Sequence, residues 1–196
     1  MPQRRHSLRL GWAVWHWLSA GAAGGLLLGA LAGCATAHDP AVTANAAGLR
    51  EKLCGLSPEV EPAEARRAAD TACGYAAYLA REWRVVWPPL LHNCLVNLHL
   101  RPRGLCYQWA DDISAKLAEL HLRTLQIHRG VAHLDTRREH SSVVLTAPGQ
   151  PFERGIVLDA WRHGGWLYWG AVATDKYPWI EVEVRPAATL AAPGTR

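Results

Sequence analysis

The stretch EHSSVVLTAPGQPFERGIVLDAW, running from Glu139 to Trp161, decides the architecture of this chain. Two short aliphatic runs, 141–147 and 154–158, flank Pro148-Gly149-Gln150-Pro151. Runs of this length and composition read as strands, and the Pro and Gly between them as a hairpin connection. Outward from this pair, 124–131, 165–171 and 178–184 are also rich in valine, isoleucine and aromatics, and are separated by Gly, Pro and Asp. His163-Gly164-Gly165 marks a further turn. An antiparallel sheet is therefore predicted for the C-terminal half.

Upstream the periodicity changes. Ala65, Ala69, Ala72, Ala76, Leu79 and Trp83 recur every three or four residues, which predicts an amphipathic helix over 63–83 with Glu64, Arg67, Asp70, Arg81 and Glu82 on its charged face. Trp87-Pro88-Pro89 ends it. Residues 90–100 form an apolar stretch containing His92, Asn93 and Asn97 that fits a short helix and an extended segment equally well. After Pro102 and Gly104, a second helix is predicted over 105–120, with Ile113, Leu117 and Leu120 on one face and Asp111 and Asp112 early, where acidic groups suit the helix dipole. Helices first and strands afterwards make an α+β domain, its N-terminal helices packed on a C-terminal antiparallel sheet. Residues 46–185 are assigned to this domain and 186–196, rich in Ala and Pro, to a flexible tail.

The N-terminus reads as an export signal. Arg4, Arg5 and Arg9 precede an apolar, glycine- and alanine-rich run that closes at Leu31-Ala32-Gly33-Cys34. The run approaches the ~20 residues of a spanning helix, but its small residues favour cleavage. The closing tetrapeptide resembles a bacterial lipobox, which implies removal of residues 1–33, a lipid on Cys34 and a tether over 34–45. Ala35 after the cysteine implies, in enteric-type sorting, the outer membrane. Removal leaves 163 of the 196 residues, with 18 basic against 17 acidic side chains, because three arginines leave with the leader. A mature charge near neutral does not point to a nucleic-acid partner. The expected setting is the periplasmic side of a bacterial envelope membrane.

In an oxidising compartment the four cysteines beyond Cys34 are candidates for disulfides, with Cys54–Cys73 and Cys94–Cys106 as one pairing. The alternative leaves Cys94 as a buried apolar residue and Cys106 as a reactive thiol. Cys106 opens a predicted helix, where unpaired N–H groups and the dipole favour a thiolate. His140 stands at the mouth of one strand and Asp159 at the end of the next. A thiol, an imidazole to take its proton and a carboxylate to orient the imidazole are the parts of nucleophilic acyl transfer. Ten histidines also raise zinc, with Cys106 and His92 or His99 as ligands, but no tight ligand spacing supports it and neither metal nor cofactor is expected. Trp109, Trp161, Trp166, Tyr168 and Trp169 read as core aromatics.

The order Cys106, His140, Asp159, on a helix start and two neighbouring strands, resembles the transglutaminase-like and papain-like cysteine hydrolases. The resemblance covers roughly residues 90–180. It implies these three as catalytic residues, a thioester intermediate, and peptide or protein amides of the envelope as substrates. No glutamine lies a short distance upstream of Cys106 to serve as the papain-type oxyanion donor; Asn97 and Gln108 are the side-chain candidates. A non-catalytic lipoprotein that binds a partner through a degenerate domain of this type is the competing reading.

Overall fold

The computed structural model describes residues 39–183. The leader, Cys34 and the tail 186–196 lie outside the described residues. Every element below belongs to one compact unit. Four helices, α1 (Pro40–Cys54), α2 (Pro62–Glu82), α3 (Pro89–Asn97) and α4 (Cys106–Ala118), precede the strands β1 (Gln126–Ala132), β2 (His140–Thr146), β3 (Ile156–Asp159), β4 (Tyr168–Ala171) and β5 (Trp179–Val182). The fold is α+β, as the sequence predicts.

The strands form one antiparallel sheet in the order β4-β3-β2-β1-β5. Consecutive hairpins link β1 to β4, and β5 returns to pair with β1. Strand β2 lies at the centre with all seven residues buried, so both of its faces are covered. Val143 and Leu145 turn towards the helices, together with Ile156 and Leu158 of β3. Val144 and Val157 turn to the opposite face, where Phe152, Val172 and Trp179 cover them.

Helix α1 begins inside the stretch read as a tether. Asp39 accepts a hydrogen bond from the Ala41 amide at 2.9 Å and Pro40 occupies the first helical turn, a strong start signal. The helix buries Ala46, Leu49 and Leu53 against α2. On α2 the buried stripe is mostly alanine, which lets the two helices approach closely. Trp83 closes the stripe and meets Trp109 edge-on, with ring centroids 4.6 Å apart.

Several local expectations are revised. Glu64 is buried, because its carboxylate accepts the Arg123 amide at 3.0 and 2.9 Å, the Thr124 amide at 2.7 Å and the Thr124 hydroxyl at 2.9 Å. It thereby ties α2 to the turn before β1. Asp111 and Asp112 sit past the first turn of α4 and pair with Arg129 and Arg103 instead of the helix dipole. Strand β4 starts at Tyr168, since Gly164 and Gly165 adopt positive φ and turn the chain. Residues 89–97 are helical, which resolves the ambiguity of that stretch.

Replacing Glu64 by alanine leaves two backbone amides without an acceptor. The expected loss is about 2–4 kcal/mol of unfolding free energy, read from urea denaturation monitored by circular dichroism; an unchanged midpoint would contradict this role.

Candidate active site

The chain enters the site through residues 101–106. Gly104 has φ +134°, and a Cβ there would lie 2.2 Å from His92 Nε2. Only glycine fits. His92 is buried on the inner side of α3; its Nδ1 accepts the Val86 amide at 3.3 Å and its Nε2 donates to the Arg103 carbonyl at 2.9 Å. Both nitrogens are used in the protein, so His92 is not placed as a zinc ligand. The Trp109 indole N–H donates to the Gly104 carbonyl at 3.0 Å. The Gln108 amide oxygen accepts from the Gly104 and Leu105 amides at 2.8 and 3.0 Å, so it caps the helix. Asn97, the other oxyanion candidate, is exposed at the end of α3.

Cys106 is the first residue of α4 and is half-buried. Among the described residues its own amide and that of Tyr107 have no hydrogen-bond partner, as expected of a first helical turn. The thiol points at the Glu139 carbonyl, 3.9 Å away, on the residue preceding His140. Cys54, Cys73, Cys94 and Cys106 are all free thiols. Neither disulfide considered from the sequence forms. Cys94 is exposed on the outer side of α3, not buried. Burial pushes the Cys73 thiol up to about 12, helped by the charge of Asp70.

His140 and Asp159 meet as the sequence order predicts. His140 Nε2 donates to Asp159 Oδ2 at 2.7 Å, and both side chains are buried. With Nε2 engaged, only Nδ1 remains; it is buried and forms no hydrogen bond of good geometry. The Cys106 side chain is near enough to the ring to favour its charged form. Burial alone pushes His140 down, but Asp159 and Cys106 outweigh it and raise its pKa to about 9. Trp161, Tyr177 and Trp179 enclose the ring, with centroids 4.7, 4.8 and 5.2 Å from it. Aromatic faces also favour the cationic form.

Three further residues were not foreseen from the sequence. Arg162 is buried; its backbone amide donates to Asp159 Oδ1 and its Nε to Asp159 Oδ2, both at 3.0 Å. Its two terminal nitrogens form a bidentate pair with Asp175, each at 3.0 Å. Its guanidinium also lies over the Tyr168 ring at 3.7 Å. Burial pushes Asp159 up, but the His140 hydrogen bond and the charges of His140 and Arg162 hold it below the ordinary carboxylate value. The third residue is Asn93, whose Oδ1 accepts the Trp161 indole N–H at 3.0 Å and so joins α3 to the aromatic wall. The spacing Asp159-x-x-Arg162 just past a strand end was the available signal for the arginine.

The chain matches no protein-family model, no curated protein and no solved structure. Among the described residues, no group of three or more His, Cys, Asp or Glu side chains is arranged around a metal position.

Two outcomes are expected. His140 has a folded pKa of about 9 against 6.5, so its contribution to stability is complete below pH 6.5 and is lost as pH rises through 9. Thermal melts between about pH 7 and 9.5 should fall more steeply for the wild type than for His140→Gln; parallel profiles would refute the assignment. Arg162→Met should cost about 3–5 kcal/mol by stranding Asp159 and Asp175, and Asp175→Asn should recover part of that loss. In the double variant, histidine NMR should show the His140 pKa above its wild-type value, because Asp159 has lost its competing cation.

Proposed function

We propose that this chain is a lipid-anchored envelope cysteine hydrolase or acyltransferase acting on peptide or protein amides through a thioester. One observation carries the reading. A buried imidazole bonded through Nε2 to a carboxylate leaves Nδ1 without a partner, and the thiol of Cys106, at a helix N-terminus, sits at the carbonyl of Glu139, the residue before that histidine. That is the relation a general base needs to a nucleophile, with the base held by a third group.

The steps follow from the residues. His140 Nδ1 takes the thiol proton, and the resulting imidazolium is stabilised by Asp159 and the aromatic wall. The Cys106 thiolate attacks the carbonyl carbon of the amide. The free Cys106 and Tyr107 amides are the donors for the oxyanion that develops. As the intermediate collapses, the C–N bond breaks and His140 gives its proton to the departing amine. A thioester to Cys106 remains. Water, deprotonated by His140, then releases the acid and returns the thiol; an amine at the same position yields a transferred acyl group instead. The folded pKa of about 9 suits the acid role at neutral pH. Asp159 acts on orientation, and Arg162 keeps Asp159 ionised.

The test needs no natural substrate. Iodoacetamide labelling followed by mass spectrometry should show Cys106 alkylated well ahead of the more exposed Cys94. His140→Ala should slow Cys106 by about tenfold or more without changing Cys94. Incubation with p-nitrophenyl acetate should place an acetyl group on Cys106, and Cys106→Ala should abolish it. Equal labelling of the two thiols, with no acyl-enzyme, would sink the enzyme reading and favour the non-catalytic one.

A further inference from the structure

Helix α3 is amphipathic in the reverse sense. Taking 100° per residue, Leu90, Leu91, Cys94 and Leu98 fall within an arc of about 100°, and this arc faces outward. The inner side is held by His92 and Val96. Trp87, 73 % exposed, extends the outward stripe before the helix, and Leu100 extends it beyond. Scattered exposed leucines are ordinary, but a stripe of large apolar side chains marks an interaction surface.

Its surroundings indicate the occupant. From Trp83 to Ala110 there is no acidic residue, whereas Arg84, Arg101 and Arg103 fall within this span. The Arg101 guanidinium donates to the Arg84 and Leu100 carbonyls, and neither Arg84 nor Arg101 has an acidic partner among the described residues. Tryptophan and leucine on one face with arginines at its edge suit a lipid–water boundary bearing negative charge. The segment that leads into α3 shares a neighbour, Ala80, with the first described residue. Asp39 lines one groove with Ala80, Gly164 and Trp166, and the Val85 amide donates to the Ala80 carbonyl at 2.9 Å. Cys34 precedes Asp39 by five residues, a reach of at most about 18 Å.

We propose that Trp87, Leu90, Leu91, Leu98 and Leu100 dock on an anionic phospholipid surface, with Arg84 and Arg101 at headgroup level. This rests on the lipid-anchored reading for its occupant, and it narrows the substrate class. Asn93, on the flank of α3, bonds Trp161 beside His140, and Cys106 follows the same loop as Arg103. A docked α3 sets the thiol close to the bilayer, so the amides served are those held near a membrane surface.

The experiment uses the chain from Thr36 onward, which contains all the described elements and carries no acyl group, in flotation with phosphatidylethanolamine–phosphatidylglycerol vesicles and with phosphatidylcholine vesicles. Binding to the anionic vesicles is expected, with a loss of about tenfold or more for Leu90→Ser/Leu91→Ser/Leu98→Ser and a smaller loss for Arg84→Gln/Arg101→Gln. Circular dichroism and the Cys106 alkylation rate should be unchanged in the triple variant, which shows that it is folded; Trp87→Ser alone is the second variant and should also weaken binding. No binding by the wild type, or binding equal in the wild type and both variants, overturns the proposal. A concentration-dependent dimer in sedimentation velocity that the triple variant abolishes, without vesicle binding, assigns the face to a second copy and equally overturns it. Mass analysis of the mature N-terminal peptide tests the acyl group on Cys34 separately, so the anchor and the docking face can fail independently.

Discussion

Asp159 is a carboxylate with almost no access to water, and the site depends on how its charge is met. An isolated buried carboxylate would cost several kcal/mol or become neutral. Here three donors occupy it: the His140 ring, the Arg162 amide and the Arg162 side chain. Arg162 would be an equally costly buried ion without the bidentate bonds to Asp175. Charges therefore alternate along His140, Asp159, Arg162 and Asp175, and the string carries two of each sign when His140 is protonated. That balance is the physical reason the imidazolium survives in a box of aromatic rings.

Placement of the thiol relies on the backbone rather than on charge pairs. Gly104 adopts a conformation closed to other residues, and the His92 ring occupies the space a Cβ would need. Gln108 and Trp109 reach back from α4 to the same three-residue turn, so the helix start is held from both sides. The outcome is a first turn whose Cys106 and Tyr107 amides are free while the Gly104 and Leu105 amides are capped. A helix start with all four amides capped would offer no donors to an oxyanion, and one with none capped would be poorly fixed.

Much of this was legible in the sequence, for identifiable reasons. Valine, isoleucine and leucine runs interrupted by Pro-Gly leave few alternatives to hairpins, and a hairpin across 148–151 forces the strands of His140 and Asp159 to be neighbours. The encounter of those two residues thus follows from local signals. The arrival of Cys106 does not, since it depends on how α4 lies across β2, which no short pattern encodes. Burial was less legible than periodicity. Glu64 has the spacing of a surface residue yet faces unpaired amides from a turn some sixty positions away. Helix α1 escaped notice because small and polar residues imitate a linker, although Asp39-Pro40 is a sound start signal.

The apolar stretch 87–100 shows where composition alone misleads. A run so rich in leucine would ordinarily be assigned to the core, yet the groups that orient α3 are polar. His92 uses both ring nitrogens on backbone partners and Asn93 holds the Trp161 indole, so the side carrying them must face the body. The leucines on the other side are turned away as a geometric consequence. Each forgoes roughly 1.5–3 kcal/mol that burial would supply. Because the inward side of that helix supports the wall around His140, its orientation cannot be reversed to bury the leucines without dismantling the site. An apolar surface beside the thiol is thus built into the way the site is held, and whatever covers that surface in use will also bear on how the notch around Cys106 is approached.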